Sequence, residues 1–255
     1  FLTCHHTCYC SNIMSLTVSG NQTRDELEAM VTQYVSEVVN KDVIVPSWPE
    51  HPYAQEATLV QLLPIKDMRQ LNLCFPIPDY SADYLSKPVS YLSHLIGHEG
   101  KGSLLSELKA LGYVNNLCSG LKSGAKGFDF FIVDVDLTET GIENTDAIIV
   151  LVFNYLAMLR NDGIKEWIFE ECKNINEMLF RFKDKERPMN YVRSLAVRAH
   201  EYPLEEVLSG PWIMKEWKPK LIKDVLDRLI PQNVYVTIIG QKFAEIANQT
   251  EQWYG

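Results

Sequence analysis

The sequence predicts an α+β fold, a mainly antiparallel sheet packed with helices, on three observations. Strand-period segments come in pairs around two short helical segments, in the order ββααββ. The rest of the chain is mostly helical and closes on one more strand. A regular strand–helix alternation, which a doubly wound parallel sheet requires, is missing.

Each element has a local reason. Met14, Leu16 and Val18 alternate with Ser15 and Thr17, the period of a half-buried strand ending at Gly20. Thr23 and Glu26 form a capping box, and Leu27, Met30, Val31, Tyr34, Val35 and Val38 continue at helical spacing to about Lys41. The three prolines of IVPSWPEHPYAQ (44–55) mark a domain boundary. Beyond it, TLVQLLPI (58–65) and LNLCFPI (71–77) read as adjacent strands joined by the polar turn Lys66 to Arg69.

Pro88 opens a helix carrying Val89, Leu92, Leu95 and Ile96, and Gly97 stops it. Ser103 caps a second helix that Gly112 closes. YVNNLCSGL (113–121) and FDFFIVDVDL (128–137) form a hairpin around the glycine-bearing turn Lys122 to Gly127. Helices follow at about 144–161, 165–183, 189–200 and 220–229, and then the strand NVYVTIIG (233–240). The apolar run AIIVLVFNYLAML (147–159) is too short to span a bilayer and reads as a buried helix.

Composition narrows the partners. At 255 residues and 46% apolar the chain can bury one large core or two small ones. A net charge of −9 with no run of Lys and Arg argues against nucleic acid, and no membrane segment is expected. Six cysteines, at 4, 8, 10, 74, 118 and 172, are too sparse for a disulfide framework, and no secretory signal pattern opens the chain. A reducing, cytoplasmic setting is therefore expected. The opening FLTCHHTCYCSNIM lacks a Met and reads as cut from something longer.

The candidate chemistry is sparse. His94 and His98 stand four apart, but Gly97 ends the helix between them, and neither H-E-x-x-H nor H-x-x-E-H occurs. Cys4, His5, His6, Cys8 and Cys10 are zinc ligands by type, yet no second pair lies within finger-like distance. The glycines of HEGKGS and SGLKSGAKG match no phosphate loop, and Ser103 and Ser106 lack a nucleophile elbow. RFKDKERP (181–188) has the alternating charge of a solvated helix end. Spacing alone stops at an acidic, soluble α+β protein.

Five strings together, HLIGHEGKGSLLSELKALG, FFIVDVDLTETG, FRFKDKERP, YPLEEVL and TEQWYG, resemble the insulin-degrading-enzyme branch of the pitrilysin-type zinc metallopeptidases, the inverzincins. The likeness runs from about Ser11 to Gly255. It implies a peptidase of homologous α+β domains, with zinc and H-x-x-E-H in the first. Residues 1–45 would be the last strand and helix of that first domain, and 46–255 a non-catalytic second domain. On this reading the chain carries no cofactor, the zinc belongs to the parent enzyme, and the chain alone is inactive.

The resemblance also implies a substrate-anchoring site at His94, Gly97, Glu99, Leu117, Ser119 and Leu121. A strand edge at Leu117 to Leu121 would accept an extended peptide through main-chain hydrogen bonds. Glu99 would meet the peptide's free N-terminal ammonium, Gly97 would leave room for close approach, and His94 would add a hydrogen bond. Where the family pattern has Gly and Gln, this sequence has Ser119 and Leu121, which adds bulk and removes a polar contact. Asp184 and Arg187 fall where family members contact the other half of the enzyme.

The implied partners are peptides with a free N-terminus, the remaining domains of the parent and, for the isolated chain, further copies of itself. The alternative is a pseudo-peptidase acting as an interaction or structural protein.

Overall fold

The computed structural model describes residues 9–52 and 57–253. The chain divides into two compact units, one of residues 1–47 with 174–213 and one of 48–173 with 214–255. Among the described residues there are eight α-helices: α1 (Arg24–Val35), α2 (Pro88–Ile96), α3 (Leu104–Ala110), α4 (Glu139–Glu143), α5 (Thr145–Asp162), α6 (Glu166–Arg181), α7 (Pro188–Glu201) and α8 (Pro219–Arg228). The strands are β1 (Thr58–Leu62), β2 (Gln70–Pro78), β3 (Val114–Ala125), β4 (Phe128–Leu137) and β5 (Tyr235–Ile239). The α+β class is as the sequence predicts.

All five strands belong to the second unit and form one sheet in the order β1-β5-β2-β4-β3. Only β1 and β5 run parallel, and the other pairs are antiparallel. The segments at 58–65 and 71–77 are therefore not neighbours, contrary to the sequence expectation, because β5 lies between them. Their burial explains the arrangement. Every residue of β1 is exposed, which suits an edge, whereas β5 alternates between buried and half-buried positions, as an interior strand does.

The core lies on one face of this sheet. Leu71, Leu73 and Phe75 from β2 and Phe131, Val133 and Val135 from β4 are each at most 1% exposed, and they face Leu92 and Ile96 of α2 and Val225 and Leu226 of α8. Burying each such side chain contributes about 1.5–3 kcal/mol. On α5, Ile148, Val152 and Leu156 recur on one buried stripe while Val150 and Met158 face solvent, so that helix is buried on one side and not all round. No single helix among the described residues is long and apolar enough to cross a membrane.

Helix boundaries follow their caps. Pro88 starts α2 and Gly97 follows its last residue; the Ser103 hydroxyl caps α3 by accepting from the Ser106 N–H at 3.1 Å. The β3–β4 ladder continues to the pair Ala125–Phe128, leaving Lys126 and Gly127 as the turn, so the hairpin is tighter than the sequence suggests.

The first unit is built differently. Met14, Leu16 and Val18 lie in no helix or strand and have no sheet partner among the described residues, and their side chains are exposed rather than half-buried. Period alone cannot supply the ladder that makes a strand. The capping box at Thr23 and Glu26 is present, but α1 ends at Val35, six residues before the expected stop at about Lys41. The chain leaves the helix there through a tighter turn, the Val38 N–H donating to the Val35 carbonyl at 3.1 Å, and Asp42 further on adopts φ +50. Cys10 is the one hydrophobic side chain buried among this unit's described residues.

A strand edge beside the end of α2

Among the described residues β3 pairs only with β4, so its second side is open to a further strand. Helix α2 packs against β3 and is fixed by its apolar stripe: Val89, Leu92 and Ile96 enter the core. The Tyr155 hydroxyl of α5 donates to the Leu95 carbonyl at 3.0 Å and holds the last turn of α2.

Two serines join helix and strand. The Ser93 hydroxyl donates to the Ser119 carbonyl at 2.5 Å, and the Ser119 hydroxyl donates to the Ser93 carbonyl at 3.2 Å. Gly97, one turn after Ser93, lies against the same strand. A Cβ placed on it would stand 2.9 Å from the Ser93 carbonyl oxygen and 3.4 Å from the Ser119 hydroxyl. The structure thus brings Gly97 and Ser119 together where the helix end meets the strand, with His94 on the last turn of α2 beside Ser93.

The other expected residues have distinct placements. Leu117 is 3% exposed, so its side chain serves the core and only its main chain is available to a ligand. Leu121 shares its sheet face, opposite Phe131 as Leu117 is opposite Val135, but stands 51% exposed beyond the helical cover. Glu99 is exposed in the loop after α2. The His94 and His98 rings lie edge to face at 6.1 Å, and His98 Nδ1 accepts from the Gly100 N–H at 3.0 Å, which curls the loop on itself.

No group of three or more His, Cys, Asp or Glu among the described residues is placed to hold a metal ion. Cys4, His5, His6 and Cys8 lie outside the described residues. Asp184 and Arg187 belong to the first unit, both exposed; Arg187 precedes α7 and its carbonyl accepts from the Tyr191 N–H at 3.0 Å.

Ser93 is the residue that sequence reasoning passes over. The signal was present, since it lies four residues before Gly97 and so on the same side of α2.

Comparison with known proteins agrees with this architecture. Residues 1–176 match the family model described as the peptidase M16 inactive domain, and residues 180–255 match the middle or third domain of peptidase M16. The chain is 50% identical over 253 residues to the insulin-degrading enzyme of Bos taurus, covering 98% of this chain and 25% of the relative. It is 48% identical over 252 residues to that of Drosophila melanogaster (98% and 26%) and 37% identical over 256 residues to the A-factor-processing enzyme of Saccharomyces cerevisiae (98% and 24%). A crystal structure of pitrilysin superposes with a TM-score of 0.86 at 26% identity, over 92% of this chain and 25% of that one. The chain therefore spans about a quarter of the length of these relatives. It belongs to the peptidase M16 family, on the insulin-degrading-enzyme branch, and carries that family's inactive domain.

Proposed function

We propose that this chain anchors extended peptides by a free N-terminus, as a non-catalytic part of an insulin-degrading-enzyme-like zinc endopeptidase. The observation that carries the proposal is the unpaired edge of β3 lying beside Gly97, a residue without a side chain at the point where α2 meets the strand. An added peptide strand would bind there through main-chain hydrogen bonds, which tolerate many sequences. The exposed carboxylate of Glu99 supplies the counter-charge for the terminal ammonium, and His94 a further polar contact.

On the same reading, residues 1–45 complete a preceding catalytic-type domain and 46–255 form the second domain, working in the cytoplasm. Zinc would be held by the parent's catalytic domain, and this chain would take no hydrolytic step of its own.

The test is fluorescence anisotropy with matched peptides, one with a free N-terminus and one N-acetylated. The free peptide should bind several-fold more tightly, and Glu99→Gln should erase most of the difference. Equal binding of both forms would remove the N-terminal anchor.

A second reading, an interaction protein, draws on the exposed apolar side chains of the first unit, among them Phe182 and Met189. Absence of binding by either peptide would favour it.

A further inference from the structure

The Ser93–Ser119 exchange lies on the edge that the proposed function requires, and the inference drawn from it rests on that reading. In an antiparallel ladder, alternate residues turn both main-chain groups toward the neighbouring strand, and the residues between them turn both away. The Ser119 carbonyl accepts from the Ser93 hydroxyl of α2, and that hydroxyl also lies 3.3 Å from the ideal Cβ position of Gly120, whose side-chain direction is to the opposite sheet face, so it approaches the strand from its open edge. Leu117, Ser119 and Leu121, which share one sheet face, are thus the residues whose main-chain groups face the open side. An incoming peptide would need those groups, and the Ser93 hydroxyl stands on the edge where the peptide's N–H would approach the central acceptor.

The second serine closes the arrangement. Its hydroxyl donates back to the Ser93 carbonyl and fills the space next to Gly97, within 3.4 Å of where a Cβ would stand. Gly120 lies equally close on the other side, 3.3 Å from the Ser93 hydroxyl to its ideal Cβ position. The pair is therefore enclosed between two glycines, and neither hydroxyl can turn away without giving up a hydrogen bond.

We propose that Ser93 and Ser119 form a latch across the β3 edge, which an anchoring peptide must open by displacing the Ser93 hydroxyl from the Ser119 carbonyl. The latch weakens every peptide alike, because it competes for a main-chain acceptor and not for a side-chain pocket. It makes this edge a more reluctant anchor than an edge to which the helix presents no hydroxyl.

The test measures a free-N-terminus peptide on the full 255-residue chain by anisotropy. Ser93→Ala should bind about fivefold more tightly than the unsubstituted protein, the worth of one hydrogen bond. Ser93→Thr, which keeps a hydroxyl, should stay close to the unsubstituted affinity. Ser119→Gly works from the strand side: it removes the return bond to the Ser93 carbonyl while keeping the carbonyl that Ser93 holds, so it should tighten binding by less than Ser93→Ala. If the unsubstituted chain binds and Ser93→Ala and Ser119→Gly bind equally or more weakly, the latch is overturned and the anchor reading stands. If none of these proteins binds peptide, both fall together.

Discussion

Gly97 has φ −84, a backbone conformation open to any residue, so its glycine is required by space. With a methyl group 2.9 Å from the Ser93 carbonyl oxygen the last turn of α2 must open locally, and the Ser119 hydroxyl, 3.4 Å away on β3, narrows the space for it to do so. Gly97→Ala should lower stability by about 1–3 kcal/mol, as overpacking does, and should weaken peptide binding as well. Urea denaturation and anisotropy check the two effects separately; an unchanged denaturation midpoint would mean that the helix end has slack. Leu121 poses the opposite case. At 51% exposure it contributes little to the core, so Leu121→Gln should leave stability within about 0.5 kcal/mol while changing peptide affinity. A large loss of stability would show that the exposed leucine still packs.

Among the elements, the β3–β4 hairpin is held from outside by the segment that precedes β1. The Trp48 N–H donates to the Lys126 carbonyl at 2.7 Å, and Gly127, at φ +110, leaves no space for a Cβ, which would fall 2.6 Å from the Trp48 carbonyl carbon. The Asp79 carboxylate accepts from the Gly127 N–H at 3.1 Å. His51 completes the clamp, edge to face with Phe128 at 4.8 Å and Phe130 at 5.0 Å, with Nε2 3.2 Å from the Asp129 carbonyl. Burial lowers the His51 pKa, against a smaller upward pull from that carbonyl. A histidine whose folded pKa is depressed contributes stability above its unfolded value of about 6.5 and loses it as pH falls through the folded value. The thermal midpoint should therefore fall more steeply between pH 7 and pH 5 in the unsubstituted chain than in His51→Gln. Parallel curves would exclude His51 as the source.

The same hairpin shows what local sequence can convey. Its glycine-bearing turn, the caps at Thr23 and Ser103 and the stop at Gly97 all depend on residues a few positions apart, and all were legible. The partner of β1 was not, because β5 enters beside it from near the far end of the chain and period carries no information about pairing. The strand expected at Met14 to Val18 failed for the same reason. Within the proposed anchoring site, the residue types at His94, Gly97 and Glu99 could be read through family likeness. The engagement of Ser93 with Ser119 needed the crossing of α2 over the strand.

The whole molecule combines a unit with an ordinary core and a unit almost without one. Among the described residues of the second unit, 34 buried hydrophobic residues form one cluster. In the first, Met14, Leu16, Val18, Phe182 and Met189 stand between 45% and 74% exposed. Apolar surface of this kind on a soluble chain is normally covered by something. The relatives are about four times longer, which supplies one cover in the form of further domains; for this chain alone in solution, the cover at hand is a second copy. The net charge of −9 opposes that association at low ionic strength, and salt screens the repulsion while strengthening apolar contact. Light scattering after size exclusion at micromolar concentration should therefore give a mass above 29.2 kDa, with the larger species favoured as salt rises. Leu16→Lys together with Val18→Lys should shift the population toward monomer without lowering the unfolding temperature of the second unit, whose core these residues do not enter. A monomer at every salt concentration would show that these side chains tolerate water, and would remove self-association from the account.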